Sequence, residues 1–280
     1  MEMLKDNEIT IKYQPTSDEY EGPGVVCFLD LLGFSHSVKS KWKNDRKSIL
    51  GIIDFKKKLI ESTQQAMGAG LIGNQNEITF YTSNFRMISD SIILLTNIPE
   101  NINSPDYKMR IYSIMHTAMS IWTECLKNGF TLRGGIEYGE VYWDKENVLG
   151  PALIDAYSLE SKHAKTSRII CGDNFINILA NIENRTKPPL DSVHDCLIFD
   201  IDGMLCLNPV LLNKYASAGR GNEEDGQTRV LEWLKQMMHG VTSEYVKQKY
   251  LTLQKIISKP DIVKKPTLKE MINYSLKLNN

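Results

Sequence analysis

The sequence predicts an α+β sandwich, a central mixed sheet with helices on a face, followed by a C-terminal helical extension. Three observations predict it. Val25-Val26-Cys27-Phe28-Leu29 is a short, continuous apolar run, the pattern of a strand buried on both faces. Two strand-like segments, Glu77–Ile88 and Ser91–Ile98, flank Ser89-Asp90, where a tight turn between antiparallel strands fits. Segments of helical apolar period, about Lys47–Met67 and Tyr107–Lys127, are interleaved with these strands.

Residues 1–23 read as a polar arm ending in the turn Gly22-Pro23-Gly24. The strand that follows ends at Asp30, with Gly33 in the loop beyond it. In the next helix Ile49, Ile52, Ile53, Leu59 and Ile60 recur at helical spacing. After Tyr107–Lys127 come strands over Phe130–Tyr138 and Glu140–Trp143, a helix over Gly150–His163, and short strands at Arg168–Cys171 and Leu197–Ile201. Gly219–Gln227 is a polar, Gly-rich loop, and Thr228–Ile257 has a helical period. The chain thus divides into the arm, a domain over 24–208 and a mainly helical extension over 209–280.

Composition narrows the function. With 280 residues and 42% hydrophobic content, a core needs neither disulfides nor structural metal. A net charge of −1 offers no overall field for DNA, RNA or an anionic membrane surface, so none of these is expected as a partner. The five cysteines are scattered and form no CxxC or His/Cys cluster, so they are expected to be reduced and buried. Met1–Glu21 has no apolar signal core, and no apolar run approaches the ~18–20 residues that span a bilayer. A cytoplasmic protein is expected.

Three blocks carry chemistry. In Phe28-Leu29-Asp30-Leu31-Leu32-Gly33-Phe34-Ser35, a carboxylate stands at the end of a buried strand before a glycine-containing loop. Burying that charge is costly unless a cation offsets it, and the loop amides suit phosphate oxygens. The plainer alternative is that Asp30 caps the next helix. In Arg86-Met87-Ile88-Ser89-Asp90-Ser91, a second carboxylate stands at a hairpin tip, where a turn-forming Ser-Asp is the plainer reading. Taken together, two carboxylates on adjacent strand ends can share two metals ~3.5–4 Å apart. The third block, Leu132-Arg133-Gly134-Gly135-Ile136-Glu137-Tyr138-Gly139, continues through Asn147-Val148-Leu149-Gly150 to Ala156-Tyr157-Ser158-Leu159-Glu160. Its glycines permit close backbone approach.

The order of these blocks resembles the class III nucleotide cyclases over roughly Val25 to Asn174. The resemblance implies a cyclase-like sandwich in which Asp30 and Asp90, with the Leu31 carbonyl, hold two Mn²⁺ or Mg²⁺ ions. It implies phosphate contacts at Gly33, Phe34 and Ser35, and base contacts at Arg86 and Asn147. Where that family has a catalytic Asn and a transition-state Arg, this chain has Ile154 and Ser158. Another cation must then offset charge on the phosphates; Arg133, Lys162 and Arg168 are candidates, with Arg168 taken as the catalytic one. The combination of motifs is most similar to the pyrimidine cyclases of bacterial Pycsar antiphage systems. That likeness implies an enzyme making cyclic UMP, or less favourably cyclic CMP, and pyrophosphate from UTP or CTP. It implies a homodimer with composite sites, Arg86 and the aspartates on one chain and the Asn147–Ser158 side on the other. A separate effector would respond to the cyclic product. A catalytically inactive nucleotide-binding or interaction protein of the same fold is the alternative.

Other motifs carry less. Gly68–Gly73 matches GxGxxG but follows a helical run rather than a strand. Phe199-Asp200-Ile201-Asp202-Gly203 resembles a phosphatase opening but reads better as a strand and turn. The five histidines have no metal-site or triad context.

Overall fold

The computed structural model describes residues 10–42, 45–65, 70–72, 77–183, 193–217, 223–239, 241 and 243–278. The first half of the chain forms β1 (Thr10–Gln14), β2 (Tyr20–Leu32), α1 (Phe34–Lys41), α2 (Arg46–Gln65), β3 (Gly70–Ile72), β4 (Glu77–Tyr81), β5 (Asn84–Ile88), β6 (Ser91–Asn97) and α3 (Pro105–Lys127). There follow β7 (Thr131–Trp143), β8 (Val148–Leu149), α4 (Pro151–Ser158) with a π-helical turn (Leu159–His163), β9 (Ile169–Cys171) and α5 (Asp173–Glu183). The last part holds β10 (Leu197–Phe199), β11 (Leu205–Leu207), α6 (Leu212–Ser217), α7 (Glu223–Met238), α8 (Glu244–Ser258) and α9 (Leu268–Leu278).

The expected mixed sheet is present, in the order β10-β11-β9-β7-β2-β6-β5 with β8 added to β7. The central strand β2 runs antiparallel to both β6 and β7, whereas β7 and β9 are parallel. Alternation along β2 sorts side chains to two faces. Val25, Cys27, Leu29 and Leu31 join Ile92 and Leu94 beneath Ile111, Met115 and Trp122 of α3, forming the main core. Val26, Ile93, Leu95, Val141 and Trp143 form a smaller cluster under Ala152 and Ala156 of α4. Helices therefore cover both faces, and the thin α4 layer leaves part of one face open. The five cysteines are all free and buried. Among the described residues no helix is long and apolar enough to cross a membrane.

Several elements differ from expectation, each for a packing reason. Gly22-Pro23-Gly24 is not a turn but part of β2. A Cβ at Gly24 would lie 2.8 Å from Val141 Cγ1 and 3.0 Å from the Thr96 carbonyl oxygen, so this glycine serves close strand packing. The two strands expected around Gly139 are one thirteen-residue strand, β7, which stays paired with β2 through Gly139, opposite Gly24. The stretch Glu77–Ile88 breaks at 82–83, sending β4 to a second small sheet of order β1-β4-β3 and β5 to the large one. Of the loop expected at Gly219–Gln227, residues 218–222 lie outside the described residues, and Glu223–Gln227 belong to α7. There a Cβ on Gly226 would fall 2.0 Å from the Asn213 carbonyl oxygen, so the glycine lets α7 close on α6. The GxGxxG motif falls partly outside the described residues, and its Gly70–Ile72 portion is β3.

Candidate active site

Asp30 and Asp90 meet, because the β5–β6 hairpin brings its tip beside the end of β2. Asp30 pairs in register with Ser91, and the Leu31 N–H donates to the Asp90 carbonyl oxygen at 3.0 Å. Ser35 Oγ donates to Asp90 Oδ2 at 3.3 Å, which ties the loop after β2 to the hairpin. Ser89 holds the tip with φ at 55°, a left-handed conformation uncommon outside glycine, and Lys56 of α2 donates to its carbonyl oxygen at 2.6 Å. Gly33 turns the chain at φ 90° into α1, presenting that helix's first amides at this end of the sheet. Phe34 anchors the loop against Phe130 at 6.0 Å between ring centroids.

Partial burial raises the Asp30 pKa above the ordinary carboxylate value. Arg133 opposes that rise, Asp90 adds to it and Lys249 opposes it. Two hard oxygen donors are of the kind that Mg²⁺ or Mn²⁺ takes, with phosphates and water completing the shell. Among the described residues no group of three or more His, Cys, Asp or Glu is arranged to hold a metal.

Arg133 is the cation the fold brings to Asp30. It sits directly across β2–β7, and its Nε donates to Asp30 Oδ2 at 3.0 Å. The same Nε lies 2.6 Å from Glu160 Oε1, on the π-helical turn. Burial raises the Glu160 pKa, Arg133 opposes the rise, and Asp30 adds to it. Arg168, expected as the catalytic arginine, is held elsewhere. Its Nη1 donates to Asp200 at 2.9 Å and Asp202 at 2.6 Å, and its Nη2 donates to the His163 carbonyl oxygen at 2.6 Å. It is buried, and its work is to clamp the β10–β11 turn onto β9. The third candidate, Lys162, is exposed.

The two expected base contacts come together within one chain. Arg86 Nη2 donates to the Asp144 carbonyl oxygen at 3.1 Å. Asn147 Nδ2 lies 3.1 Å from both Asp144 carboxylate oxygens, and its backbone N–H donates to Oδ1 at 2.7 Å. The Asn147 and Tyr142 side-chain hydrogen bonds, with amides of the same turn, hold the Asp144 pKa well below the ordinary range. Asp144 follows the last residue of β7, whereas Asp30 pairs near that strand's start; Arg86 itself lies on the hairpin that carries Asp90, opposite Ile93. Arg86 and Asn147 are joined through Asp144 within one protomer.

On the α4 side, a cavity of about 370 Å³ is lined by Glu137, Asp155, Ser158, His163, Asp173 and Tyr274 among others, and by neither metal-type aspartate. Ile154, in the position of the family's Asn, is exposed. Sequence reasoning missed Glu137, which is buried, with Oε1 accepting the Tyr138 and Phe175 N–H groups at 2.8 Å each. Burial lifts its pKa to about 7 against those two bonds. The alternation along β7, which puts Glu137 on the same face as the glycine Gly135 and leaves it beside apolar Ile136, was the weak signal available. Also missed was the C-terminal extension's reach: Tyr250 of α8 puts its hydroxyl against Gly33, 3.0 Å from where a Cβ would be.

No family model matches the chain, and no curated protein matches it. Among solved structures it is similar to a class III adenylyl cyclase-like ATP-binding protein from Pseudomonas aeruginosa, with 14% identity and a TM-score of 0.39. The match covers 90% of this chain and 49% of that one, so the chain spans about half the other's length.

Proposed function

We propose that the chain is a nucleotide cyclase that forms a 3′,5′-cyclic pyrimidine monophosphate and pyrophosphate from UTP or CTP, with cyclic UMP favoured. The observation that carries the reading is the meeting of Asp30 and Asp90 on adjacent strand ends, linked by the Leu31 amide and the Ser35 hydroxyl. Divalent ions there, on both carboxylates and the Leu31 carbonyl, would neutralise the triphosphate and acidify the ribose 3′-hydroxyl. The chain's own part is positional. The amides from Gly33 to Ser35 hold phosphate oxygens, Arg133 offsets developing charge, and the fixed geometry aligns the 3′-oxygen for in-line attack on the α-phosphorus.

Arg86 and Asn147 read the base. Arg86 offers only donors, which suits the two carbonyl acceptors of uracil better than the single one of cytosine. The proposed active form is a homodimer with composite sites at the interface. Exposed Ile88, Leu149, Ile154 and Tyr157 near these elements are suited to such an interface. In this reading the product acts as a second messenger in antiphage defence and is sensed by a separate effector.

Purified protein incubated with each of ATP, GTP, UTP and CTP and Mn²⁺, with products resolved by mass spectrometry, tests the proposal. Cyclic UMP as main product is expected. A cyclic purine as main product overturns the pyrimidine assignment, and tight nucleotide binding without turnover that survives Asp30→Ala overturns the enzyme.

A further inference from the structure

We propose that Glu160 is a positioning residue that makes Arg133 a displaceable counter-ion of Asp30: when a divalent cation takes the aspartate, the arginine turns to Glu160 and stays beside the site. The inference rests on the metal-binding reading of Asp30 and Asp90. One guanidinium nitrogen lies between two carboxylates, 3.0 Å from Asp30 Oδ2 and 2.6 Å from Glu160 Oε1. Its N–H can point at only one of them, and it points at Asp30. Glu160 Oε1, though nearer, is buried and makes no hydrogen bond. A buried carboxylate oxygen left in that state is costly, so the fold holds an acceptor waiting for this donor.

The arrangement is built in. Glu160 sits on a π-helical turn, and the sheet beneath that turn is cleared by glycine. A Cβ on Gly135 would fall 2.3 Å from the Ala156 carbonyl oxygen and 2.6 Å from Leu159 Cβ. Gly135 thus lets the end of α4 and the turn press onto β7, where Glu160 reaches Arg133. Transfer of the hydrogen bond from Asp30 to Glu160 needs only a small rotation of the guanidinium. The two terminal nitrogens of Arg133 make no hydrogen bond among the described residues, and they remain available to phosphate oxygens.

A plain structural ion pair would support folding without affecting metal affinity, so the test is Mn²⁺ binding to the full chain without nucleotide, by calorimetry or by the electron spin resonance of free Mn²⁺. Wild-type protein is expected to bind, and Asp30→Asn and Asp90→Asn to abolish binding; failure of either expectation removes the underlying reading. Given that binding, Glu160→Gln is expected to weaken it about tenfold, because Arg133 then has Asp30 as its one ionic partner. Arg133→Gln is expected to tighten it, and in that background Glu160→Gln to lose most of its effect. An equal effect in both backgrounds, or none, overturns the proposal. Glu160→Asp keeps the charge but withdraws the carboxylate from Nε, and serves where Arg133→Gln fails to fold. It too should weaken Mn²⁺ binding, and unchanged affinity overturns the proposal.

Discussion

Arg133 and Arg168 stand on or beside neighbouring strands, joined where the Gly134 N–H donates to the Arg168 carbonyl oxygen at 2.9 Å, and each faces two carboxylates. Arg168 is closed in. Both terminal nitrogens donate to this chain, to Asp200, Asp202 and the His163 carbonyl, and the residue is buried. Arg133 engages its carboxylates through Nε alone and keeps about a quarter of its side chain exposed, at 28%. The first cluster uses both terminal nitrogens of its arginine within the chain, with only the buried Nε lacking a partner, and the second leaves its terminal nitrogens open towards the end of the sheet where Asp30 and Asp90 meet. A charge cluster that completes its own hydrogen bonds holds the fold together. One that stops short has donors and acceptors left for something else.

The largest expected effect breaks the open cluster. Asp30→Asn or Asp90→Asn should reduce cyclic nucleotide formation by about 10³-fold, because the Lewis-acid contribution is worth several kcal/mol at about 1.36 kcal/mol per decade. Turnover followed by mass spectrometry checks this, with unfolding midpoints held close to wild type. The closed cluster should respond the other way round. Arg168→Met leaves the buried Asp200 without its partner and should cost about 3 kcal/mol in urea unfolding, while the folded fraction keeps near-normal activity. A large fall in turnover per folded molecule would restore a catalytic role to Arg168.

Glu137 extends the comparison to a buried acid that has no cationic partner among the described residues and is held by two backbone amides. Its pKa rises from 4.5 to about 7, so the folded state holds this proton more tightly than the unfolded state does. That stabilisation is complete below pH 4.5 and is lost as pH rises through about 7. Asp30, Glu160 and Asp173 are raised as well and contribute with the same sign. Glu137→Gln keeps an acceptor for the Tyr138 and Phe175 amides but cannot ionise. Its stability should match wild type near pH 4.5 and exceed it by about 3 kcal/mol at pH 8. Thermal melts across that range check the slope.

The contrast between the two arginines also marks what the sequence could disclose. Val25–Leu29, the Ser89-Asp90 turn and the helical periods were legible as strand, hairpin and helices, because burial and turn formation act locally; that Asp30 and Asp90 end on neighbouring strands came only with the resemblance in block order, since β2 and β6 pair across more than 60 residues. Arg133 and Arg168 looked alike as candidates, since each follows an apolar or polar run without local distinction. What separates them is a contact made across the sheet: the Asp200–Asp202 turn folds back on one, while Glu160 reaches the other over the space that Gly135 leaves. The same limit hid the Arg86–Asn147 meeting on Asp144 and misread Gly22-Pro23-Gly24. A glycine that opens a turn and one that admits a neighbouring strand look identical in sequence.

The smallest expected effect sharpens the account of how the open site is held. Lys56 reaches from α2 to the Ser89 carbonyl at 2.6 Å and, with the Ser35 hydroxyl on Asp90, holds the tip that carries Asp90. Ser89 adopts a left-handed φ of 55°, which costs of order 1 kcal/mol for a residue other than glycine. Lys56→Met keeps the aliphatic stem and removes the donor, so stability should fall by about 0.5–1 kcal/mol. If the tip is set by this contact, the variant should also raise the Mn²⁺ concentration needed for half-maximal turnover about twofold, with maximal turnover unchanged. Ser89→Gly in the same background should recover stability by relieving the left-handed strain, but not the Mn²⁺ response, because the carbonyl would still lack its anchor. Recovery of both would assign the tip's position to backbone strain rather than to Lys56.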